Sequence, residues 1–416
     1  MALAPSRHVL PGGPVVLVNE TRTMPAVTVL AALRAGAVYD APGAEGTAAL
    51  VARVLDRGTT TRTAAGIADD LDGRGASLFV TAGRHQLTVS ATALADDFDA
   101  ILALVADIVR EPAFAEHEVA TRRGELVTTI RQHEDDPGSR AVDRLMALLY
   151  PGHPYGRPVR GTAASVEALD RAALVRHHAS WCTPEGLAVV IVGDIEAAHA
   201  EEACQHAFDG WQANRPPDPA LPPVTPAAGR RIEAIRMPSK AQADIAYGFT
   251  GLGRSDPDYY AAWVMNHALG QFAIGGRLGD NIRERQGMAY YVFSGLDASL
   301  APGPLTIRAG VAAADVERTI AAIDAEIAAI LRDGFTAGEI DDSKAYLIGS
   351  LPRQLETNTG IAAFLLNAEL FGLGLAHDAR LPGLIADVAH DQVQAAARRL
   401  LDPARATVVV AGPWGE

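Results

Sequence analysis

A pattern in the first half of this chain returns in the second. Leu87-Thr88-Val89 ahead of an amphipathic run is echoed by Leu305-Thr306-Ile307 ahead of Val316, Ile320, Ile323, Ile327 and Ile330. Phe114 with Glu118-Val119 returns as Phe335 with Glu339-Ile340, and Gly75 with Phe79-Val80 returns as Gly287 with Tyr291-Val292. The separation drifts only from 212 residues (75 to 287) to 221 (114 to 335). Self-similarity at a fixed offset is the mark of duplication, so each half must fold into the same order of elements around its own core. Surface-to-volume scaling points the same way, because 416 residues exceed what one ordinary core serves.

Within the first copy, residues 15–18 and 26–32 read as strands and 46–57 and 64–71 as helices. Residues 78–81 and 85–91 read as a strand pair. Phe98, Ile101, Leu102, Val105, Ile108 and Val109 recur at helical spacing, so 95–110 is an amphipathic helix that Pro112 ends. Polar helices follow over 115–135 and 170–181, and the unbroken apolar run 187–192 is a buried strand closed by Gly193-Asp194. Pro216, Pro217, Pro219, Pro222, Pro223 and Pro226 then mark a stiff, extended linker over residues 213–230, between domains spanning 1–212 and 231–416.

Charge and cysteine content narrow the function. Fifty acidic against 36 basic residues give a net charge of −14, which argues against nucleic acid or an anionic membrane as partner. No segment approaches a membrane-spanning run, and residues 1–14 lack a charged region followed by a long apolar one. The expectation is a cytoplasmic chain, or a periplasmic one had a signal peptide been removed. Cys182 and Cys204 are too few for a disulfide framework and are not spaced as metal ligands.

The stretch that carries chemistry runs from Gly275 to Ser294. Gly275-Gly276 opens a short polar helix, Gly287 stops it, and an aromatic and β-branched run reads as a strand. Arg283 and Tyr290 flank the helix-to-strand turn and supply one charged and one neutral donor, suited to a peptide carbonyl or an oxyanion. In the register of the repeat they fall opposite Leu71 and Leu78, so the first copy uses apolar residues where the second uses polar donors. Gly270 to Gly276 is not a phosphate loop, since no Gly-Lys-Ser/Thr follows it. No Gly-x-Ser-x-Gly elbow is present, and neither cysteine has a catalytic motif around it. None of the twelve histidines stands in a His-x-x-Glu-His or His-Glu-x-x-His arrangement. His177 and His178 are adjacent and would point about 100° apart on a helix, while His117 and His133 neighbour glutamates on a polar helix and read as solvated.

Residues 46–59, Arg131-Gln132-His133-Glu134-Asp135-Asp136-Pro137, His153-Pro154-Tyr155-Gly156-Arg157-Pro158, Val192-Gly193-Asp194 and the Gly275–Ser294 stretch together resemble the pitrilysin/insulinase family of zinc peptidases. The likeness is to its short bacterial form, similar to the mitochondrial processing peptidase subunits, and covers nearly the whole chain. It implies an α+β fold of two similar domains, each a mostly antiparallel sheet with helices packed on one face. The family binds zinc through His-x-x-Glu-His on a helix and a glutamate about 76 residues downstream. Here the two histidine positions are Ala49 and Arg53, the general-base position is Ala52 and the downstream glutamate position is Thr129. Alanine offers a metal no lone pair and arginine stays protonated, so this chain is expected to hold no cofactor itself.

The family also carries an arginine and a tyrosine seven residues apart that bind substrate near the zinc, and Arg283 and Tyr290 match them, with Gly275 and Gly276 matching a flexible glycine segment beside the substrate. The resemblance implies the non-zinc subunit of a heterodimer whose homologous, zinc-motif-bearing partner supplies the metal, acting on short or unfolded peptides. The alternatives are a degenerate peptidase kept as a scaffold, like the core subunits of the respiratory complex, and a peptidase working alone through some other site.

Overall fold

A computed structural model describes residues 3–271 and 276–415. They form two compact units, each with its own sheet. The first comprises Met1–Arg131, Pro158–Ala220 and Pro352–Ala379, the second Gln132–Arg157, Leu221–Leu351 and Arg380–Glu416.

In the first unit the strands β1 (Ser6–Val9), β2 (Val15–Glu20), β3 (Ala26–Leu33), β4 (Ser77–Ala82), β5 (Leu87–Leu94) and β6 (Leu187–Gly193) pair in the order β1-β2-β6-β3-β5-β4. Only β2 and β6 run parallel. Side chains alternate across a strand, so β3 faces two cores. Val29 and Ala31 belong to the larger one, with Leu50 and Val51 of helix α1 (Thr47–Val54), Ile67 of α2 (Ala64–Arg74), Ile101 and Val105 of α3 (Phe98–Arg110) and Leu126 of α4 (Glu116–Glu134). Leu30 and Ala32 point the other way, where with Leu17, Val190 and Val192 they meet Ile361, Leu365 and Leu366 of the helix Asn358–Leu370.

The second unit repeats this plan one strand short. The strands β7 (Arg231–Arg236), β8 (Ala243–Thr250), β9 (Ala289–Leu296), β10 (Pro304–Val311) and β11 (Thr407–Gly412) pair in the order β7-β11-β8-β10-β9, which reproduces β2-β6-β3-β5-β4, and again a single pair, β7 with β11, runs parallel. The duplication read from sequence is thus a duplication of topology. Helix α5 (Pro137–Leu149) lies along β8 and β11, and a Cβ at Gly248 would stand 2.8 Å from a Leu145 methyl and 3.1 Å from one of Leu149. Tyr247, one residue earlier and on the other face, donates its hydroxyl to Asp324 of the helix Val316–Asp333 at 2.9 Å. Each unit therefore covers the second face of its sheet with a helix drawn from the other half of the sequence.

Strand β1 and helix α5 were not expected from sequence. Strand β1 is only four residues and mostly exposed, which leaves no hydrophobic alternation to read. In the linker, Arg215 is buried in the first unit, donates to the carbonyls of Trp181 (2.9 Å) and Arg34 (2.8 Å) and stacks over the Tyr39 and Trp181 rings. Among the described residues no helix is long and apolar enough to cross a membrane.

Candidate functional site

Helix α1 carries Ala49, Ala52 and Arg53, the positions that the sequence resemblance sets against a zinc motif. It starts at Gly46, whose φ of 93° suits glycine and whose missing Cβ would lie 2.7 Å from the Arg160 carbonyl oxygen. Asp40 fixes the start: its two carboxylate oxygens accept the Gly46 and Ala48 amides, each at 2.8 Å. Ala49 and Arg53, one turn apart, are half-buried, Ala52 is buried, and Thr129 on α4 donates its hydroxyl to the Glu125 carbonyl at 3.0 Å. These four residues do not fit a metal. Among the described residues no three His, Cys, Asp or Glu side chains converge as a metal site requires. His177 is buried with Nε2 3.1 Å from the Ala35 carbonyl, and burial holds its pKa down to about 4. His178 faces the Val109 carbonyl at 2.8 Å, and burial lowers it too, whereas His117 and His133 are exposed. Burial pushes both cysteine thiols up to about 12, which makes them inert structural groups.

The second unit presents Arg283 and Tyr290 differently from their counterparts. Leu71 and Leu78 pack against the core of the first unit. Tyr290 is 78% exposed at the start of β9, the edge strand, and Arg283 is one-third exposed, with Nη1 3.7 Å from Glu284. The neighbouring Tyr291 points to the opposite face and donates to Asp244. Arg283 sits on a seven-residue π-helix, Gly279–Arg285, that follows one short α-helical turn, Gly276–Leu278. Gly287 ends it with φ of 63°, as Gly75 ends α2 with φ of 61°. Gly276 has φ of 81°, and its Cβ would collide with the Gly270 backbone at 2.7 Å, so here glycine serves a close approach. Gly275 lies outside the described residues.

Sequence reasoning missed the polar side chains under this segment. Arg277 forms a two-pronged pair with Glu339 (2.5 and 2.8 Å) and also reaches the Gly334 carbonyl at 2.9 Å. Asn281 donates to Glu326 at 2.5 Å and accepts from Gln286 at 2.9 Å, while Arg285 pairs with Asp280 at 2.9 Å. Together Arg277, Asp280, Asn281, Arg285, Glu326 and Glu339 line a cavity of about 220 Å³. Burial works to raise the Glu339 carboxyl, but hydrogen bonds from Arg277 and Thr336 outweigh it and hold the group at about 2. The available signal was Thr336-x-x-Glu339, a capping box whose carboxylate was free to take a second partner.

Comparison with known proteins gives the same outline. A family model described as insulinase, peptidase family M16, matches residues 15–163, and one described as the peptidase M16 inactive domain matches residues 168–347. An uncharacterised zinc protease of Mycobacterium tuberculosis is 29% identical over 422 residues, covering 100% of this chain and 94% of the relative. One from Streptomyces coelicolor is 29% identical over 418 residues, covering 98% and 89%. The crystal structure of a peptidase M16 inactive domain from Pseudomonas fluorescens superposes with a TM-score of 0.92 at 27% identity, covering 99% of this chain and 98% of that one.

Proposed function

The chain belongs to the insulinase family, peptidase family M16, and from that membership we propose that it is the non-zinc subunit of a heterodimeric metallopeptidase. A single contrast carries this reading: the second unit exposes Arg283 and Tyr290 where the first unit packs Leu71 and Leu78. A chain with no catalytic duty had the apolar solution at hand. The homologous partner chain would hold the zinc, which polarises the scissile carbonyl and activates water. Arg283 and Tyr290 would donate hydrogen bonds to the carbonyl oxygen of a short or unfolded peptide, and those bonds strengthen as charge develops there.

Removing one such donor costs about 3 to 4 kcal/mol of transition-state stabilisation. Cleavage of a quenched fluorescent peptide library by this chain, alone and mixed with a zinc-motif-bearing homologue from the same organism, tests the reading. Activity is expected only in the mixture, lost on chelation, and slowed roughly a hundred- to a thousandfold by Arg283→Ala. Full turnover by that variant would remove the assigned role. The second reading, a scaffold without activity, draws on the loss of all four zinc positions around α1, and inactivity of every pairing would favour it.

A further inference from the structure

The internal duplication supplies its own control for how Arg283 is aimed. Helix α2 occupies residues 64–74, and in the register that equates Gly75 with Gly287 its counterpart is 276–286. Both stretches span eleven residues and end at a left-handed glycine, yet they are wound differently. In α2 the Ala76 amide bonds the Leu71 carbonyl at 2.9 Å, and the Gly75 amide bonds Asp72 at 3.1 Å and also Leu71, as Gly287 bonds Arg283. In the second copy the Met288 amide passes over Arg283, the counterpart of Leu71, and bonds Ile282 at 3.1 Å. Arg283 takes the Gly287 amide at 3.1 Å, and the Gln286 amide bonds Asn281 five residues back at 3.0 Å. At Met288 the hydrogen-bond register has moved by one residue from that of Ala76, and Arg283 stays one-third exposed where Leu71 packs against the core. A π-helix is less favourable than an α-helix of the same length and persists where tertiary contacts hold it.

The holding contacts are those of Arg277 and Asn281. Arg277, 18% exposed at the side chain, is gripped by the Glu339 carboxylate and the Gly334 carbonyl, and Asn281 by Glu326. In the first copy the position of Arg277 is Ala65, an exposed alanine, and that of Glu339 is Glu118, which pairs with Arg122 of its own helix instead. The clamp and the π-winding are thus present together in one copy and absent together in the other.

We propose that Arg277 and Glu339 are positioning residues that hold the segment 279–285 in its π-wound form and so aim Arg283. Their effect on turnover rests on the function proposed above; their effect on the winding does not. Two measurements separate the levels. In the isolated chain, hydrogen exchange of the amides from Asp280 to Tyr290 should quicken about tenfold in Arg277→Gln, with global melting little changed. Glu339→Gln keeps an oxygen for the Thr336 cap while weakening the ion pair, and should act in the same direction. Arg277→Lys, which keeps the charge but not the two-pronged geometry, should fall between.

In the mixed complex Arg277→Gln should lower kcat, by up to about a hundredfold for a displacement near 1 Å, with KM little changed, and should add almost nothing once Arg283 is already alanine. Exchange rates unchanged by all three variants would overturn the positioning role, as would losses that simply multiply in the double variant. If Arg283→Ala leaves turnover intact, the proposed function fails, while the exchange result still decides whether the clamp holds the winding.

Discussion

His177 is a base kept neutral inside the fold. Its ring lies beside His178 in sequence, faces the Ala35 carbonyl and stands 3.8 Å from Asp40, yet burial dominates and holds its pKa near 4 against an ordinary 6.5. The unfolded chain therefore takes up a proton near pH 6.5 that the folded chain refuses until about pH 4. Stability from this group is complete above pH 6.5, falls as pH drops towards 4 and is flat below, a total on the order of 3 kcal/mol. Urea midpoints at pH 7.5 and pH 5 should separate, and His177→Gln should bring them closer by about 2 kcal/mol of the difference. A variant with the same pH dependence as the parent would show that burial of this ring is not the cause.

Among elements, α1 shows how a helix is placed by a single buried carboxylate. Its start is set by Asp40, whose buried carboxylate holds two backbone amides, so Asp40→Ala should lower stability by about 2 to 3 kcal/mol in chemical denaturation, more than an exposed cap would cost. Elements with a one-sided apolar stripe were legible in the sequence: the 98–110 helix shows Phe98, Ile101, Leu102, Val105 and Val109 because one face meets the core. Helix α5 was not read from the sequence, although Asp136 caps it, Pro137 stands at its first position and Ala141, Leu145 and Leu149 follow on one face. What that stripe does not tell is which sheet receives it, since apolar periodicity records burial and not the partner. The winding of 279–285 was illegible for a related reason. Partners distant in sequence, Glu326 and Glu339, hold it, and no local propensity favours π over α. Arg283 and Tyr290 drew attention in the sequence because the duplication offered a second copy against which polar residues stood out.

At the scale of the whole molecule, the two compact units are not the two halves of the sequence. A fragment ending at residue 220 would have the six strands of the first sheet but lack the helix Asn358–Leu370, leaving Leu17, Leu30, Val190 and Val192 bare. Such a fragment is expected to bind a hydrophobic dye and aggregate, and a peptide spanning 352–379 should restore a cooperative melt; a well-ordered fragment without the peptide would contradict this. The same exchange of helices sets a timetable for synthesis. From residue 220 to residue 370 a ribosome needs roughly 8 to 30 s at about 5 to 20 residues per second, and throughout that interval the first sheet waits with one side uncovered. The nascent chain must be shielded, or fold around its own later residues, and the order of translation is not the order in which its units are finished.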